Sequence, residues 1–114
     1  MRENGKLDYL EFPADGGALA GTKEFYAKAF GWTFTDYGPA YAAFNQGLDG
    51  GFDANSERSG KGPLAVLFST ELEQCMQKVI DSGGTITTPI FSFPGGRRFH
   101  FTDPAGNELA VWAE

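Results

Sequence analysis

Alternation of apolar and polar residues with a period of two is clearest near the C-terminal end of the chain. Phe99 and Phe101 alternate with polar neighbours, and Leu109 and Val111 alternate in the same way after an Asp-Pro-Ala-Gly-Asn turn segment. The pattern predicts a β-hairpin with one apolar face. Successive side chains of a strand point to opposite sides of the sheet. The opposite face of the hairpin is therefore expected to carry Arg98, His100, Glu108 and Trp112.

The first half of the chain predicts a β-α-β-β-β unit. A helical spacing of apolar residues from Leu19 to Phe30 indicates a helix, with Asp15 as a possible N-cap and Gly31 at the position of a C-cap glycine. Strands are predicted around it at residues 6–12, 32–36, 40–44 and 48–52.

The second half of the chain repeats this order of elements. Residues 64–68 form a continuous apolar strand, and the apolar stripe from Leu72 to Val79 predicts a helix. Thr70 and Glu73 have the spacing of a capping box at its start. A strand at residues 85–90 and the closing hairpin complete the second unit.

Two copies of one supersecondary unit predict a single domain spanning residues 1–114. Module one covers about 6–53, a polar linker about 54–62, and module two about 63–114. Each helix should cover one face of its own sheet, which leaves the other face, called here the open face, available for ligands. The residues expected on the open faces as ligand contacts are Tyr9, Glu11, Arg98, His100, Glu108 and Trp112.

Composition narrows the possible partners and the cellular compartment. The 114-residue chain is 41% hydrophobic, which is enough to bury a core without disulfides, and its single cysteine excludes an internal disulfide. A formal charge of −6 without a basic stripe argues against nucleic acid and anionic membranes as partners. No apolar stretch approaches the length of a signal or membrane segment, so a cytoplasmic protein is expected.

Each of the open-face residues has more than one possible role. His100, the only histidine, could be a hydrogen-bonded structural residue or a proton-carrying group, and Glu11 is the other candidate for acid–base catalysis. Arg98 and Glu11 could form an ion pair or contact a ligand. Tyr9 and Trp112 could stack on a planar ligand or fill the space themselves, and Trp112 could also belong to a dimer interface.

Several segments resemble the vicinal oxygen chelate superfamily, which contains glyoxalase I, extradiol dioxygenases and bleomycin resistance proteins. They are the first strand from Tyr9 to Asp15, Phe25-Tyr26 followed by Phe30-Gly31-Trp32, and the closing segment Phe101-Thr102-Asp103-Pro104-Ala105-Gly106-Asn107. The resemblance implies an α+β fold in which two paired β-α-β-β-β modules form a U-shaped cleft, usually completed in a homodimer.

The resemblance implies a metal site only where the metal ligands are present. In metal-dependent relatives they lie on the first strand, on the first strand of module two, and three residues after the Asn of the closing motif. The corresponding positions here are Tyr9 or Asp8, the apolar strand at 64–68, and Ala110. A catalytic divalent metal needs about three protein ligands, and at least two of these positions cannot supply one. We therefore expect no metal and no other cofactor.

Two functions follow from these observations. The first is a metal-independent protein that binds an unidentified small molecule in an aromatic and polar cleft. The second is a glyoxalase-like lyase or isomerase that uses an atypical metal site or acid–base catalysis by His100 and Glu11. The missing metal ligands favour binding, and the clustered titratable groups favour catalysis. In both cases a second copy of the chain is the expected protein partner.

Overall fold

The predicted strand and helix unit occurs twice in the chain. A computed structural model describes residues 2–15, 17–56 and 62–114, and within these ranges the chain forms eight strands and two helices. Module one contains β1 (Leu7–Pro13), α1 (Leu19–Phe30), β2 (Thr35–Asp36), β3 (Tyr41–Asn45) and β4 (Asp49–Asp53). Module two contains β5 (Leu64–Phe68), α2 (Leu72–Asp81), β6 (Thr85–Phe93), β7 (Gly96–Thr102) and β8 (Glu108–Ala113). The predicted α+β class and the β-α-β-β-β order of both modules are confirmed.

Helix α1 ends as predicted but begins differently. Gly31 follows it with a φ of 73°, a left-handed conformation that favours glycine, and its N–H donates to the Ala27 carbonyl. The predicted N-cap is wrong, because the helix begins after Ala18 and no side chain caps it. Asp15 instead uses its backbone carbonyl to accept the Ala18 N–H in the preceding turn.

The predicted capping box of α2 is also wrong, because both of its residues are bonded elsewhere. The Thr70 N–H donates to Asn4 Oδ1, and Thr70 Oγ1 accepts a hydrogen bond from Asn4 Nδ2. The Glu73 carboxylate accepts two hydrogen bonds from the Arg97 guanidinium, at 2.5 and 3.2 Å. The start of α2 therefore serves to attach the N-terminal segment and the hairpin.

In module one the sheet order is β2-β3-β4-β1. Strand β4 pairs with β1 in parallel and with β3 antiparallel. Phe12, Phe44 and Phe52 turn toward α1 and pack in a cluster with its buried residue Leu19. Trp32 stacks on Tyr26, with ring centroids 4.6 Å apart, and packs against the same cluster. Strand β2 is shorter than predicted, and the segment that holds Trp32 contributes to the core instead.

In module two the order is β5-β8-β7-β6, with β5 parallel to β8. Phe99 lies opposite Val111 across the hairpin, and both pack with Leu72 of α2 in the core. Strand β6 extends three residues beyond the predicted end, and its register shifts between Thr88 and Phe91 around Pro89. Proline is tolerated there because β6 is the outermost strand of the module.

The N-terminal segment belongs with module two rather than module one. One compact unit combines the residues up to Asp8 with Leu64–Glu114, and the other extends from Tyr9 to Pro63. The Gly5 N–H donates to the Phe68 carbonyl at 2.8 Å, and the Phe68 N–H donates to the Lys6 carbonyl at 3.2 Å. In the part of the chain that the structure describes, neither helix is long and apolar enough to cross a membrane.

Phe99→Ala should lower the free energy of unfolding by about 3–5 kcal/mol, because the substitution removes a buried ring from the core of module two. Phe101→Ala is the matched comparison on the same strand and the same face. It should cost less, because Phe101 is only partly buried. Urea denaturation of both variants measures the difference. Equal losses for the two variants would contradict this assignment of the core.

Candidate functional site

The open face of module two carries a row of aromatic rings with a guanidinium among them. The Arg98 guanidinium carbon lies 5.5 Å from the ring centroid of Phe91 and 5.6 Å from that of Phe93. The Phe91 ring is 5.8 Å from the His100 ring, and the Phe93 ring is 6.4 Å from Trp112. Cations are attracted to aromatic faces at these distances. The row therefore holds the Arg98 side chain in a defined place on this face.

Strand register explains why these side chains meet. Arg98 is paired with Trp112 on β8 and with Phe91 on β6, and residues directly opposite one another share a face. The predicted grouping of polar and aromatic residues opposite Phe99 is therefore confirmed. Phe91 and Phe93 were missed, because β6 was expected to end before them. Their alternation with Ser92 is the sequence signal that could have revealed the longer strand.

Two titratable groups lie at one end of the row. His100 Nδ1 is 3.6 Å from Glu108 Oε2, and the two side chains are 11% and 24% exposed. The hydroxyl of Thr87 donates to the same carboxylate oxygen at 3.1 Å. The 3.6 Å separation is longer than a hydrogen bond, so this atom pair is close without being hydrogen-bonded. They are close enough to contact the same group of a ligand.

Trp112 is fixed at the other end of the row by contacts with the N-terminal segment. Its indole Nε1 donates to Asp8 Oδ2 at 3.0 Å, and Arg2 Nε lies 3.3 Å from the same carboxylate oxygen. The Arg2 guanidinium carbon is 5.1 Å from the indole ring centroid, and the Phe68 ring packs edge-on at 5.3 Å. No local sequence pattern could indicate the bond to Asp8, because the two residues are 104 positions apart.

On the open face of module one, Tyr9 and Glu11 are connected through Tyr41. The Tyr41 hydroxyl donates to Glu11 Oε2 at 3.1 Å, and the two tyrosine oxygens are 2.6 Å apart. Because the single hydroxyl proton of Tyr41 points to Glu11, Tyr9 is the donor to Tyr41. Glu11 is buried, with 8% of its surface exposed. The result is a chain of hydroxyl groups that ends at a buried carboxylate.

Gly51 makes room for this arrangement. It lies opposite Ala43 on β3 and beside Glu11 on β1, and a Cβ at this position would collide with the Tyr41 ring. Burial raises the pKa of Tyr41, and the negative charge of Glu11 raises it further. Burial is also the main reason that the pKa of Tyr9 is raised. Both phenols therefore remain protonated donors well above neutral pH.

Two of the three metal-ligand positions of the resemblance lie in the central strand pair of module two, and the first, Tyr9 or Asp8, lies on β1. Val66 is the partner of Ala110 between β5 and β8, and neither side chain has a metal-binding atom. The corresponding pair of module one, between β1 and β4, is Glu11 with Gly51. Across residues 2–15, 17–56 and 62–114, no group of three or more His, Cys, Asp or Glu side chains could hold a metal ion.

The family model of the Glyoxalase/Bleomycin resistance protein/Dioxygenase superfamily matches residues 7–111. The chain belongs to this superfamily. The match confirms the resemblance noted in the sequence, which rested on the first strand, the end of α1 and the turn of the closing hairpin. A search of the curated proteins found no match.

Several solved structures share the fold of this superfamily member. One described as an NAD-dependent benzaldehyde dehydrogenase from Legionella pneumophila has a TM-score of 0.74 at 20% identity, covering 92% of this chain and 96% of the other. Methylmalonyl-CoA epimerase from Mycobacterium tuberculosis has a TM-score of 0.72 at 12% identity, covering 99% and 90%. A superfamily member from Vibrio splendidus 12B01 has a TM-score of 0.67 at 15% identity, covering 96% and 100%. At these identities the similarity shows the fold alone.

Within the superfamily fold, the six candidate residues fall into two sets. Tyr9 and Glu11 lie together on the open face of module one. The open face of module two carries Arg98, His100, Glu108 and Trp112. Their role as ligand contacts remains a prediction from the sequence.

The stability of this protein should decrease as the pH rises above about 10. The pKa of Tyr41 is raised in the folded state, so the unfolded chain releases this proton at a lower pH than the folded chain. The stabilisation is fully present below the unfolded pKa and is lost progressively above it. Tyr41→Phe should make the alkaline decrease in unfolding free energy shallower by about 1.4 kcal/mol per pH unit.

Urea denaturation between pH 8 and 11 measures this slope. Tyr37→Phe is the matched control, because Tyr37 is 67% exposed and its hydroxyl is outside the Tyr9–Tyr41–Glu11 chain. Its slope should equal that of the unchanged protein. A Tyr41→Phe variant with an unchanged slope would show that Tyr41 is not a buried phenol.

Proposed function

We propose that this chain is a metal-independent small-molecule binding protein whose ligand lies on the aromatic and polar open face of module two. The observation that carries the proposal is the Arg98 guanidinium placed over Phe91 and Phe93, next to Trp112. A guanidinium binds carboxylates with charge-assisted hydrogen bonds, and aromatic rings stack on planar groups. The combination favours a planar anionic ligand.

His100 and Glu108 give the proposed site a polar end. With Trp112 at the opposite end of the ring row, a ligand would meet an apolar wall on one side and a titratable pair on the other. Tyr9 and Glu11 are proposed as polar ligand contacts on the open face of module one. Their hydrogen-bonded chain presents a hydroxyl donor and a carboxylate acceptor.

Metal independence is supported by the chemistry of the ligand positions. Val66 and Ala110 are apolar, and Gly51 has no side chain, so Glu11 is the one residue of the two central pairs with a donor atom. Even with Tyr9 or Asp8 at the first position of the resemblance, these residues supply fewer than the roughly three protein ligands that a divalent metal needs. The donor set therefore does not fit the metal of the metal-dependent relatives.

The purified protein should contain no stoichiometric zinc, nickel, manganese or iron. Elemental analysis after purification without chelator measures the content directly. As a control, the protein should be incubated with each metal and then desalted. Its metal content should return to the value of the untreated protein. About one metal ion per chain surviving desalting would overturn the proposed metal independence.

Arg98→Ala should weaken the binding of a planar carboxylate by about 1.5–3 kcal/mol, the range for a hydrogen bond to a charged group. Arg97→Ala is the matched control. Arg97 is the neighbouring arginine on the opposite face, where it is bonded to Glu73. The control should bind the same carboxylate with nearly unchanged affinity.

Calorimetric titration with a panel of aromatic carboxylates, beginning with benzoate, is the measurement. Circular dichroism shows whether each variant is folded. Arg98→Lys retains the charge and tests the contact if Arg98→Ala fails to fold. Equal losses of affinity for Arg97→Ala and the Arg98 variants would place the ligand elsewhere.

A second candidate function is a glyoxalase-like lyase or isomerase that works by acid–base catalysis. It is favoured by the buried Glu11 carboxylate with its Tyr41 donor and by the proximity of His100 to Glu108. Conversion of a hemithioacetal by chelator-treated protein, abolished by Glu11→Gln, would support catalysis. Carboxylate binding without any such conversion would support the binding function.

A further inference from the structure

The open face of module one has a floor of small residues that runs across its strands. Thr35 of β2 is paired with Ala43 of β3, Ala43 with Gly51 of β4, and Gly51 with Glu11 of β1. Side chains directly opposite one another in a sheet share a face, so these four positions form one row. Three of the four are small, which leaves a trough along the row.

Tyr41 occupies only the inner part of this trough. Its ring lies over Gly51, and its hydroxyl is bonded to Glu11. The outer part, at Thr35 and Ala43, remains open and forms a groove, called here the Thr35 groove. Its lining includes Thr33, Thr35, Tyr37, Ala43, Asn45 and Gln46.

The described lining of the Thr35 groove is uncharged and combines polar side chains with the apolar residues Phe34, Ala43 and Phe44. Its side chains offer three hydroxyls and two carboxamides, and the largely exposed Tyr37 ring adds an apolar wall. The nearby carboxylate of Asp49 accepts a hydrogen bond from Asn45. Asp36 is paired with Lys23 at 2.6 Å and lies on the opposite face of β2.

An anionic ligand would find no counter-charge in the lining that the structure describes, and the nearby Asp49 carboxylate already accepts a hydrogen bond from Asn45. A neutral ligand with several hydroxyl groups could satisfy both the donors and the acceptors of the hydroxyl and carboxamide side chains. We propose that the Thr35 groove binds a neutral, hydroxyl-rich small molecule of the monosaccharide or cyclic polyol class. This proposal concerns the open face of module one, and the proposed function concerns that of module two.

The test is a titration of the ¹⁵N-labelled protein with D-glucose and with myo-inositol, followed by NMR. Saturable shifts at millimolar concentrations are expected at the backbone amides of Thr33, Thr35, Tyr37 and Asn45. Thr35→Val replaces the hydroxyl by a methyl group of similar size and should weaken binding roughly fivefold to tenfold. Ala43→Leu fills the floor of the groove and should abolish the shifts.

Thr85→Val is the matched control, because Thr85 is an exposed threonine on the outermost strand of module two. It should bind both polyols as the unchanged protein does. Arg98→Ala should also leave the polyol shifts unchanged, which separates this proposal from the one on module two. The proposal is overturned if neither polyol gives saturable shifts in the folded protein, or if benzoate shifts the same amides as strongly. An equal loss of polyol affinity in the Thr85→Val and Thr35→Val variants would overturn it as well.

Discussion

The register between β7 and β8 decides which side chains of module two are buried and which can meet a ligand. Phe99 opposite Val111 places an almost completely buried pair under α2, and Arg98 opposite Trp112 then falls on the open face. A shift of one residue would exchange the two faces. Phe99 would become exposed, and the Arg98 charge would enter an apolar core. The burial that stabilises the module therefore also fixes the place of its functional groups.

The two modules have the same strand pairing but carry different functional groups on their open faces. In module one Tyr41 is paired with Asp53, and in the equivalent place of module two Arg98 is paired with Trp112. The central positions hold Gly51 in one module and Ala110 in the other, and the absence of a side chain at Gly51 lets the Tyr41 ring lie over the sheet. Module one thereby presents phenols and a carboxylate, whereas module two presents a guanidinium and an imidazole beside the Glu108 carboxylate. The two modules therefore share a fold but not a set of functional groups.

The sequence predicted the elements and the faces of the closing hairpin well, because both depend on local alternation and on turn residues. It failed where a contact depends on distant parts of the chain. Trp112 and Asp8 are 104 residues apart, and Tyr41 meets Glu11 only because β3 and β1 flank the same strand. The capping box failed for the same reason, since Asn4 bonds to Thr70. Local patterns describe which face a side chain takes, but tertiary contacts decide its partner.

The buried carboxylate of Glu11 bears on the proposed absence of a metal, because a buried acid needs a partner that compensates its charge. Burying a charged group is costly unless it is compensated. A metal ion would supply that compensation in a metal-dependent relative, but Val66, Ala110 and Gly51 offer no further ligands. Here Tyr41 donates a hydrogen bond to the carboxylate, and Tyr9 in turn donates to Tyr41, which strengthens the first bond by polarising it. The Tyr41 phenol, whose ring lies over Gly51, thus contributes to the compensation of the buried Glu11 carboxylate on the open face of module one.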